Sequence, residues 1–420
     1  MELEPRGDKK IIQLINKGVD IPNPLTLDIG EEVNLDRISG RGVKIYPGCR
    51  IYGSKTVIAS GAGIGHEGPV TIENCQIGPK VELKGGYFKE AVFLEGANMG
   101  LAAHVREGCI LEEEAGGAHC VGLKQTILFP FVTLGSLINF CDCLMAGGTS
   151  RKDHSEVGSS YIHFNFTPSG DKTTPSLIGD VARGVMLNKR PIFLGGQGGM
   201  VGPLLLGYGN VVAAGTILRQ DFHEENKLIV GKSHSGTIVD FNPHSYPGLS
   251  RVVENNFLYL ANLTALEEWY VGVRQHFFSK LEFGELIYCG SLDKLVSARK
   301  ERIKRLKAMA ERIPASIEKN GSKSPGRPGR QEFREHIERA CALFSEKADA
   351  EAAAEHRDRF LTLFSGHKKE VDGSYVDVIK SLPAAVSKEG TLWLDKIILG
   401  ICRRIAAVFP SMALFKKMVV

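Results

Sequence analysis

Long apolar side chains recur at every sixth residue in the middle of the chain, and glycine or alanine often lies beside them. The clearest run has five such positions, at Leu194, Met200, Leu206, Val212 and Leu218. A six-residue step is typical of a parallel β-helix, in which each hexapeptide forms one short strand and its aliphatic residue stacks on the equivalent residue of the next coil. The pattern therefore predicts a β-helix core in this half of the chain.

Weaker hexads at Ile45, Ile51 and Val57 extend the pattern toward the N-terminus. Between these hexads and the clear run the spacing drifts, which predicts loops inserted between coils. Insertions in repeat proteins are commonly found on the binding face.

Beyond Ser250 the apolar period changes to steps of three and four residues, beginning at Val253, Phe257 and Leu260. This period is typical of amphipathic helices. We expect a second helix from about residue 291 to residue 313. The last segment, which is both apolar and basic, fits burial against its own domain, or contact with a membrane surface or a partner helix.

These patterns predict a mostly β architecture with a helical C-terminal region. The expected divisions are an N-terminal segment (1–21), a β-helix domain (22–248), a helical extension (249–319), a linker rich in glycine, serine and proline (320–330) and a helical C-terminal domain (331–420).

Composition places the chain among ordinary globular proteins. It has 420 residues, 43% of them hydrophobic and 24% charged, and its formal net charge of +4 gives no sign of nucleic acid as a partner. Nine scattered cysteines indicate reduced thiols, and no signal peptide or membrane-spanning segment is evident. We therefore expect a cytoplasmic protein.

Polar side chains are concentrated between Gly135 and Asp180. Arginine and lysine suit a phosphate, asparagine and glutamate suit sugar hydroxyls or an amine, and histidine or a carboxylate can accept a proton. The cluster therefore predicts a ligand site. Its members are Asn139, Asp142, Arg151, Lys152, Asp153, His154, Glu156, His163, Asn165 and Lys172.

Residues 165–180, Asn-Phe-Thr-Pro-Ser-Gly-Asp-Lys-Thr-Thr-Pro-Ser-Leu-Ile-Gly-Asp, resemble a stretch with the pattern Asn-Tyr-Asp-Gly-x-x-Lys…Ile-Gly-Asp. That stretch belongs to the acetyltransferase domain of the bifunctional N-acetylglucosamine-1-phosphate uridyltransferases, in the hexapeptide-repeat acyltransferase superfamily. Residues 206–221 are similar to the closing hexads of the same domain. The chain also resembles bacterial proteins grouped as UDP-N-acetylglucosamine pyrophosphorylase-related. The resemblance implies a left-handed superhelix, a homotrimer with sites between neighbouring prisms, and acetyl-CoA or another acyl-CoA as co-substrate, with no metal.

The resemblance also implies roles for individual residues. Asn165 and Phe166 lie where the family contacts acetyl-CoA, although the family has tyrosine at the position of Phe166. Ala214 lies in the hexad that lines the coenzyme groove. Lys172, displaced by one residue, lies where a lysine contacts the sugar nucleotide, and Glu156 replaces a substrate-binding asparagine.

The family's catalytic base is not retained at its own position. Phe140 replaces the catalytic histidine and Cys143 replaces a tyrosine. Two segments, residues 149–153 and 183–190, are insertions relative to the family.

Other residues are candidates for the missing roles. His154, flanked by acidic residues, is one candidate base, and Asp142 is the alternative. Asn139, Arg151 and Lys152 are candidate substrate ligands. Lys189 and Arg190 either clamp the coenzyme phosphates or are solvated charges.

For some residues of this region the sequence favours an ordinary structural role. His163 alternates with apolar neighbours and is expected to be a wall residue. Cys141 and Cys143 form a lone Cys-x-Cys pair, which favours buried small residues over a metal site.

Three functions fit these residues. The first is an acyl-CoA-dependent transferase acting on a sugar phosphate or nucleotide-linked amino sugar. The second is a non-catalytic nucleotide-sugar sensor or scaffold, favoured by Phe140, whose helical region binds a protein partner. The third is a UDP-N-acetylglucosamine pyrophosphorylase-type nucleotidyltransferase, and the missing Gly-rich phosphate loop argues against it.

Overall fold

Short parallel strands wind around one apolar core and form three faces, which confirms the predicted parallel β-helix. The computed structural model describes residues 7–165, 170–231, 236, 238, 241, 245–320, 326–344 and 350–416. Within these residues a 16-stranded sheet bends over faces 1 and 2, and a 10-stranded sheet forms face 3. There are about 11 turns. The left hand of the superhelix stays a prediction from the resemblance.

Each face is a stack of strands of two to four residues, and two longer strands, Gly122–Leu128 and Asn139–Met145, run around the corner from face 1 to face 2. The other strands of face 1 are Asp28–Ile29, Arg50–Tyr52, Val70–Glu73, Gly86–Lys89, Ala103–Val105, Ile162–Phe164, Gly199–Val201 and Ile217–Leu218. Those of face 2 are Val57–Ile58, Gln76–Ile77, Ala91–Phe93, Cys109–Leu111, Ser176–Ile178 and Leu205–Leu206. Those of face 3 are Lys44–Ile45, Gly63–Ile64, Glu82–Leu83, Asn98–Met99, Gly116–Gly117, Thr133–Leu134, Glu156–Val157, Phe193–Leu194, Val211–Val212 and Leu228–Ile229.

The predicted hexad residues form the interior of the prism. Leu194 pairs with Val212 on face 3, and Met200 pairs with Leu218 on face 1. All five residues of the clear run are at most 2% exposed. Six residues therefore advance the chain by one face, and three hexads complete one coil.

Face 2 is buried on its outer side as well. Its strands end in apolar doublets such as Val92-Phe93 and Ile110-Leu111, in which both side chains are buried. The N-terminal hexads shift here, because the interior residue is Ile58, which pairs with Ile77, and Val57 lies on the outer side. Doublets of this kind are typical of strands covered on both faces.

Helices supply that cover, and a short helix precedes the prism. The α-helices are α1 (Asp8–Lys17), α2 (Val181–Gly184), α3 (Leu249–Trp269), α4 (Gln275–Phe278), α5 (Gly284–Ala310), α6 (Ile313–Asn320), α7 (Arg327–Ala342), α8 (Ala350–Glu370), α9 (Tyr375–Lys380) and α10 (Ala384–Val408). A π-helical turn, Tyr270–Arg274, joins α3 to α4. No described helix is long and apolar enough to cross a bilayer.

Helix α5 lies along the corner between faces 1 and 2. Gly290 is so close to Gln76 that a Cβ would come within 2.4 Å of its Oε1. Farther along the helix, Lys294 pairs with Glu90 at 2.6 Å. Between Gly290 and Met309, which contacts Thr173, the helix rises by about 28 Å. The five coil steps beside this part of the helix span roughly 24 Å.

A buried arginine fixes the helical region to the prism. Arg274 pairs with Glu112 and Glu113, each at 2.8 Å, and its guanidinium lies 3.8 Å from the centre of the Tyr375 ring. Its side chain is 2% exposed. Because a buried charge must be paired to be tolerated, this cluster specifies how the helices sit on the prism.

The helix boundaries differ from the expected ones in two places. Helix α5 begins at Gly284, before the expected residue 291. Helix α7 begins at Arg327, inside the stretch whose composition indicated a linker, and Pro328 stands in its first turn, where proline is tolerated. Residues 321–325 of that stretch lie outside the described residues.

The C-terminal apolar segment packs against its own domain. Helix α10 buries Trp393, Leu394 and Ile397 against α3 and α8.

Candidate functional site

The predicted site residues divide between two faces of the prism. Asn139 is exposed on face 1, and the half-buried Asn165 follows the face 1 strand Ile162–Phe164. Lys172 is exposed, and its backbone oxygen accepts a hydrogen bond from Arg302. Phe166 lies outside the described residues. The remaining candidates, apart from Asp142, His163 and Ala214, lie on or beside face 3.

A β-hairpin leaves the prism between faces 2 and 3. It consists of the antiparallel strands Gly148–Ser150 and Asp153–His154. Gly147 and Gly148 have φ values of 102° and 98°, which glycine adopts without strain, and they turn the chain away from the coil. Thr149 Oγ1 donates to Asp153 Oδ2 at 2.8 Å and closes the hairpin.

Arg151, at the hairpin tip, is used to hold the hairpin. Its Nη1 donates to the backbone oxygens of Glu114 and Phe131 at 3.0 and 2.8 Å and to Thr133 Oγ1 at 3.0 Å. A guanidinium engaged in this way fixes the hairpin over face 3, so we assign Arg151 a structural role. Lys152 is exposed beside it.

The hairpin brings His154 to Glu156. His154 Nε2 lies 3.7 Å from Glu156 Oε2, and the histidine side chain is 19% exposed. Its Nδ1 is buried and has no hydrogen-bond partner among the described residues. Glu156 points outward on face 3, between Thr133 and Phe193 of the adjacent coils. An imidazole beside a carboxylate is a common arrangement for proton transfer.

An open apolar column continues along face 3 from Glu156. Phe193, Val211 and Leu228 point outward and are 39%, 42% and 68% exposed. The corner beside this column is formed by small residues, with Ala214 exposed and nothing within 4 Å of the place where a Cβ would stand on Gly215. This corner has room for an extended ligand.

The inserted segment before face 3 carries two further candidates. Lys189 is half-buried, and its backbone oxygen accepts a hydrogen bond from Gly148. Arg190 is exposed, and its Nη1 donates to Asn226 Oδ1 at 3.0 Å.

Asp142, the alternative base, is enclosed beneath helix α5. Its Oδ1 accepts a hydrogen bond from Arg302 Nη2 at 2.7 Å, and the two side chains are 6% and 3% exposed. Burial raises the pKa of Asp142, although the Arg302 charge opposes this shift. A carboxylate covered by a helix and held by an arginine is not accessible to a substrate. The structure therefore corrects this candidate: Asp142 is a packing residue.

His163 and Phe140 lie inside the prism. The His163 ring is 2% exposed and lies 6.4 Å from the Phe140 ring, and its Nε2 is 2.7 Å from Ser176 Oγ. Burial lowers the pKa of His163 to about 4. Phe140, at the family's base position, thus faces the core, and of its two neighbours Asn139 is exposed and Cys141 is buried.

None of the nine cysteines forms a disulfide bond, and Cys141 and Cys143 are buried. In the parts of the chain that the structure describes, no group of three His, Cys, Asp or Glu side chains is arranged to hold a metal ion.

A stripe of basic residues lies on face 1 and was not predicted from the sequence. Lys89, Arg106 and Lys124 occupy the same register on successive coils, one coil below Cys141. Lys89 pairs with Glu73 at 2.8 Å and Lys124 with Glu107 at 2.5 Å, whereas Arg106 is exposed. In the sequence these residues lie about one coil, or three hexads, apart, and this spacing could have indicated the stripe.

Comparison with known proteins identifies relatives of this chain. The bifunctional protein GlmU of Trichlorobacter lovleyi is 26% identical over 219 residues, which are 52% of this chain and 42% of that protein. GlmU of Thermotoga maritima is 27% identical over 214 residues, 51% of this chain and 42% of that protein. GlmU of Carboxydothermus hydrogenoformans is 27% identical over 233 residues, 56% of this chain and 46% of that protein. The chain spans less than half the length of these relatives.

Other comparisons add little. No protein-family model matches the chain. The solved structure of the polysialic acid O-acetyltransferase OatWY covers 56% of this chain and 96% of its own, with 14% identity and a TM-score of 0.16, which is too low to indicate a shared fold. The resemblance seen in the sequence is nevertheless confirmed by the curated relatives: this chain is a hexapeptide-repeat relative of GlmU.

Proposed function

We propose that this relative of GlmU is an acyl-CoA-dependent transferase that acts on a phosphorylated or nucleotide-linked amino sugar in the cytoplasm. The observation that carries the proposal is the His154–Glu156 pair on face 3, in which His154 Nε2 lies 3.7 Å from Glu156 Oε2 and the histidine side chain is 19% exposed. The kinship with GlmU supports an acyl-transfer reaction.

In this proposal His154 is the general base. It accepts the proton of the acceptor's amino or hydroxyl group as that group bonds to the acyl carbon, and the carbon–sulfur bond of the thioester breaks. Protonated His154 then gives its proton to the leaving sulfur. Glu156 stabilises the imidazolium between these steps. A positioned base of this kind typically contributes a factor of about 10² to 10⁴ in rate.

The coenzyme would lie along the corner that contains Ala214. The space beside Gly215 and the exposed Val211 fit the pantetheine arm, and acyl-CoA supplies the activated acyl group. Lys189 and Arg190 are the cations that we assign to its phosphates. We keep Asn165 and Phe166 as coenzyme contacts from the resemblance.

The acceptor sugar would be held by Asn139, Lys152, Glu156 and Lys172. Asn139 lies on face 1, Lys152 and Glu156 lie on or beside face 3, and Lys172 precedes the face 2 strand Ser176–Ile178, so one prism presents only part of the set. We propose a homotrimer in which face 1 of one subunit approaches face 3 of its neighbour. The exposed apolar side chains of Ile162 on face 1 and Phe193 on face 3 support such an interface.

The test is a turnover assay on the purified full chain. Acetyl-CoA is mixed with glucosamine-1-phosphate or another amino-sugar phosphate, free thiol is followed with a chromogenic reagent, and the acylated sugar is identified by mass. We expect acceptor-dependent thiol release that is lost in His154→Gln. Light scattering should give the mass of a trimer. Release that persists unchanged in His154→Gln would exclude this base, and its absence with every acceptor would count against the transferase.

A second candidate function is a nucleotide-sugar sensor or scaffold. It is favoured by the interior position of Phe140 and by the burial of Asp142, since neither can act on a ligand. In that case UDP-N-acetylglucosamine binds saturably and no thiol is released, and the helical region binds a protein partner.

A further inference from the structure

A cavity of about 400 Å³ lies where the insertion after face 2 meets α3 and α10. Its walls are largely apolar and include Leu205 of the prism, Leu258 of α3 and Leu399 of α10. Asp180, Arg183 and Asp395 form its polar end, together with His223. Arg183 belongs to residues 183–190, which are an insertion relative to the family that the β-helix resembles.

The positive charge of Arg183 at the polar end is already neutralised by neighbouring carboxylates. Arg183 Nε donates to Asp180 Oδ2 at 2.7 Å, and Nη1 donates to Glu225. The guanidinium also lies 5.0 Å from the centre of the Tyr208 ring. Two carboxylates therefore surround one arginine.

Asp395 is the remaining carboxylate at the polar end of the cavity. It is half-buried on α10, and it makes no ion pair or hydrogen bond with the described residues. Burial raises the pKa of Asp395 to about 6, and the charge of Asp180 adds to the shift, while Arg183 and Lys189 oppose it. The neighbouring amide of Asn262 is already engaged with the backbone of Val181 and Leu258.

We propose that this cavity binds a small primary amine, with its ammonium group on Asp395 and an apolar body of about six carbons between Leu205, Leu258 and Leu399. A surplus negative charge at one end of an apolar cavity is complementary to such a molecule. The volume is within the usual range for small-molecule sites. The inference goes beyond the proposed acyl transfer, since none of these residues belongs to the His154 site.

Titration calorimetry on the full chain tests the proposal with hexylamine as the probe and 1-hexanol as its neutral counterpart. At pH 7.5 we expect hexylamine to bind at least about tenfold more tightly than 1-hexanol, since an ion pair at a partly desolvated site adds to the shared apolar contacts. Asp395→Asn should reduce the hexylamine affinity at least about tenfold. Asp372→Asn, which removes an exposed carboxylate on the loop before α9, should leave it unchanged.

Two further measurements make the test specific. Leu399→Trp should fill the cavity and weaken the binding of both probes. At pH 6 the ammonium should displace the proton of Asp395, so titrations in buffers of different ionisation enthalpy should show proton release that disappears at pH 8. The proposal is overturned if hexylamine does not bind, if 1-hexanol binds as tightly, or if Asp395→Asn retains the wild-type affinity.

Discussion

Arg302 of α5 and Asp142 of the corner strand form an ion pair of 2.7 Å beneath the helix surface. The same guanidinium donates to the backbone oxygen of Lys172 at 3.2 Å. One arginine thus joins the helical region, the prism corner and the segment that resembles the GlmU-type motif. This pair explains why a polar residue stands at position 142 without a role in catalysis.

Removal of Arg302 should destabilise the fold strongly. Arg302→Met leaves the Asp142 carboxylate buried without its partner, which typically costs about 3 to 5 kcal/mol. The free energy of unfolding is measured in urea at pH 7.5. Asp142→Leu combined with Arg302→Met should recover most of the loss, because no buried charge remains. Lys307→Met, which breaks an exposed pair with Glu338, should cost less than about 1 kcal/mol; a similar loss in both single variants would contradict the structural role of the Arg302 pair.

Substitution of His154 should affect turnover and leave stability unchanged. If His154 is the base, His154→Gln lowers kcat about 100-fold or more, with little change in KM or in melting temperature. The matched control is His356→Gln, because His356 forms a similar pair with Glu389, at 2.9 Å, in the helical region. Equal kcat values in the two variants would remove His154 from the mechanism.

A bulky residue at the small-residue corner should block the coenzyme. Ala214→Trp places a large side chain in the space that we assign to pantetheine, so KM for acyl-CoA should rise about tenfold or more. Ala118→Trp, at an exposed position on a lower coil, serves as the control. An unchanged KM in Ala214→Trp would show that the coenzyme lies elsewhere.

The buried His163 should make the fold sensitive to mild acid. Its pKa is lowered to about 4 in the folded chain from an ordinary value of 6.5. The unfolded chain therefore binds the proton more tightly between these values, and stability is lost as pH falls from about 6.5 to 4, by about 3 kcal/mol for this group. His163→Met, which matches Met200 in the next coil, should reduce the loss by that amount. Urea titrations of both proteins at pH 7 and pH 4 provide the measurement, and identical losses would refute the assignment.

Asp395 should have the opposite pH dependence. Its pKa is raised to about 6 from 3.8, so the folded chain binds the proton more tightly, and stability is lost as pH rises from about 4 through 6. Asp395→Asn should therefore melt at a higher temperature than the wild type at pH 7.5 and at the same temperature at pH 4. Asp372→Asn should show no such difference between the two pH values. A melting temperature for Asp395→Asn that is unchanged at pH 7.5 would mean that folding does not raise the pKa of Asp395.

The hexad pattern located the β-helix because it reports a local and repeated requirement. Leu194, Met200 and Leu206 occupy the core for the same reason, namely that each coil needs one aliphatic residue on each face. The sequence carries a second repeated signal of this kind. Doublets such as Val92-Phe93 recur once per coil, and they indicate that the outer side of face 2 is covered.

The candidate site was predicted less completely, because its members are distant in sequence and on different faces. The density of polar residues after Gly135 indicated a candidate region, but it did not separate Asp142, which is buried, from Glu156, which is exposed. That distinction depends on α5, whose Arg302 is 160 residues farther along the chain.

The sequence by itself determined the repeat, the parallel β-helix and the change to helices after Ser250, since each follows from the spacing of apolar residues along a local segment. The tertiary structure decided which face the helices cover, that Arg151 holds a hairpin, and that Asp395 lines a cavity in which no described residue pairs with it. These features depend on contacts between segments that are distant from each other in the sequence. Burial and charge pairing there are set by the packing of whole elements, which no local spacing records.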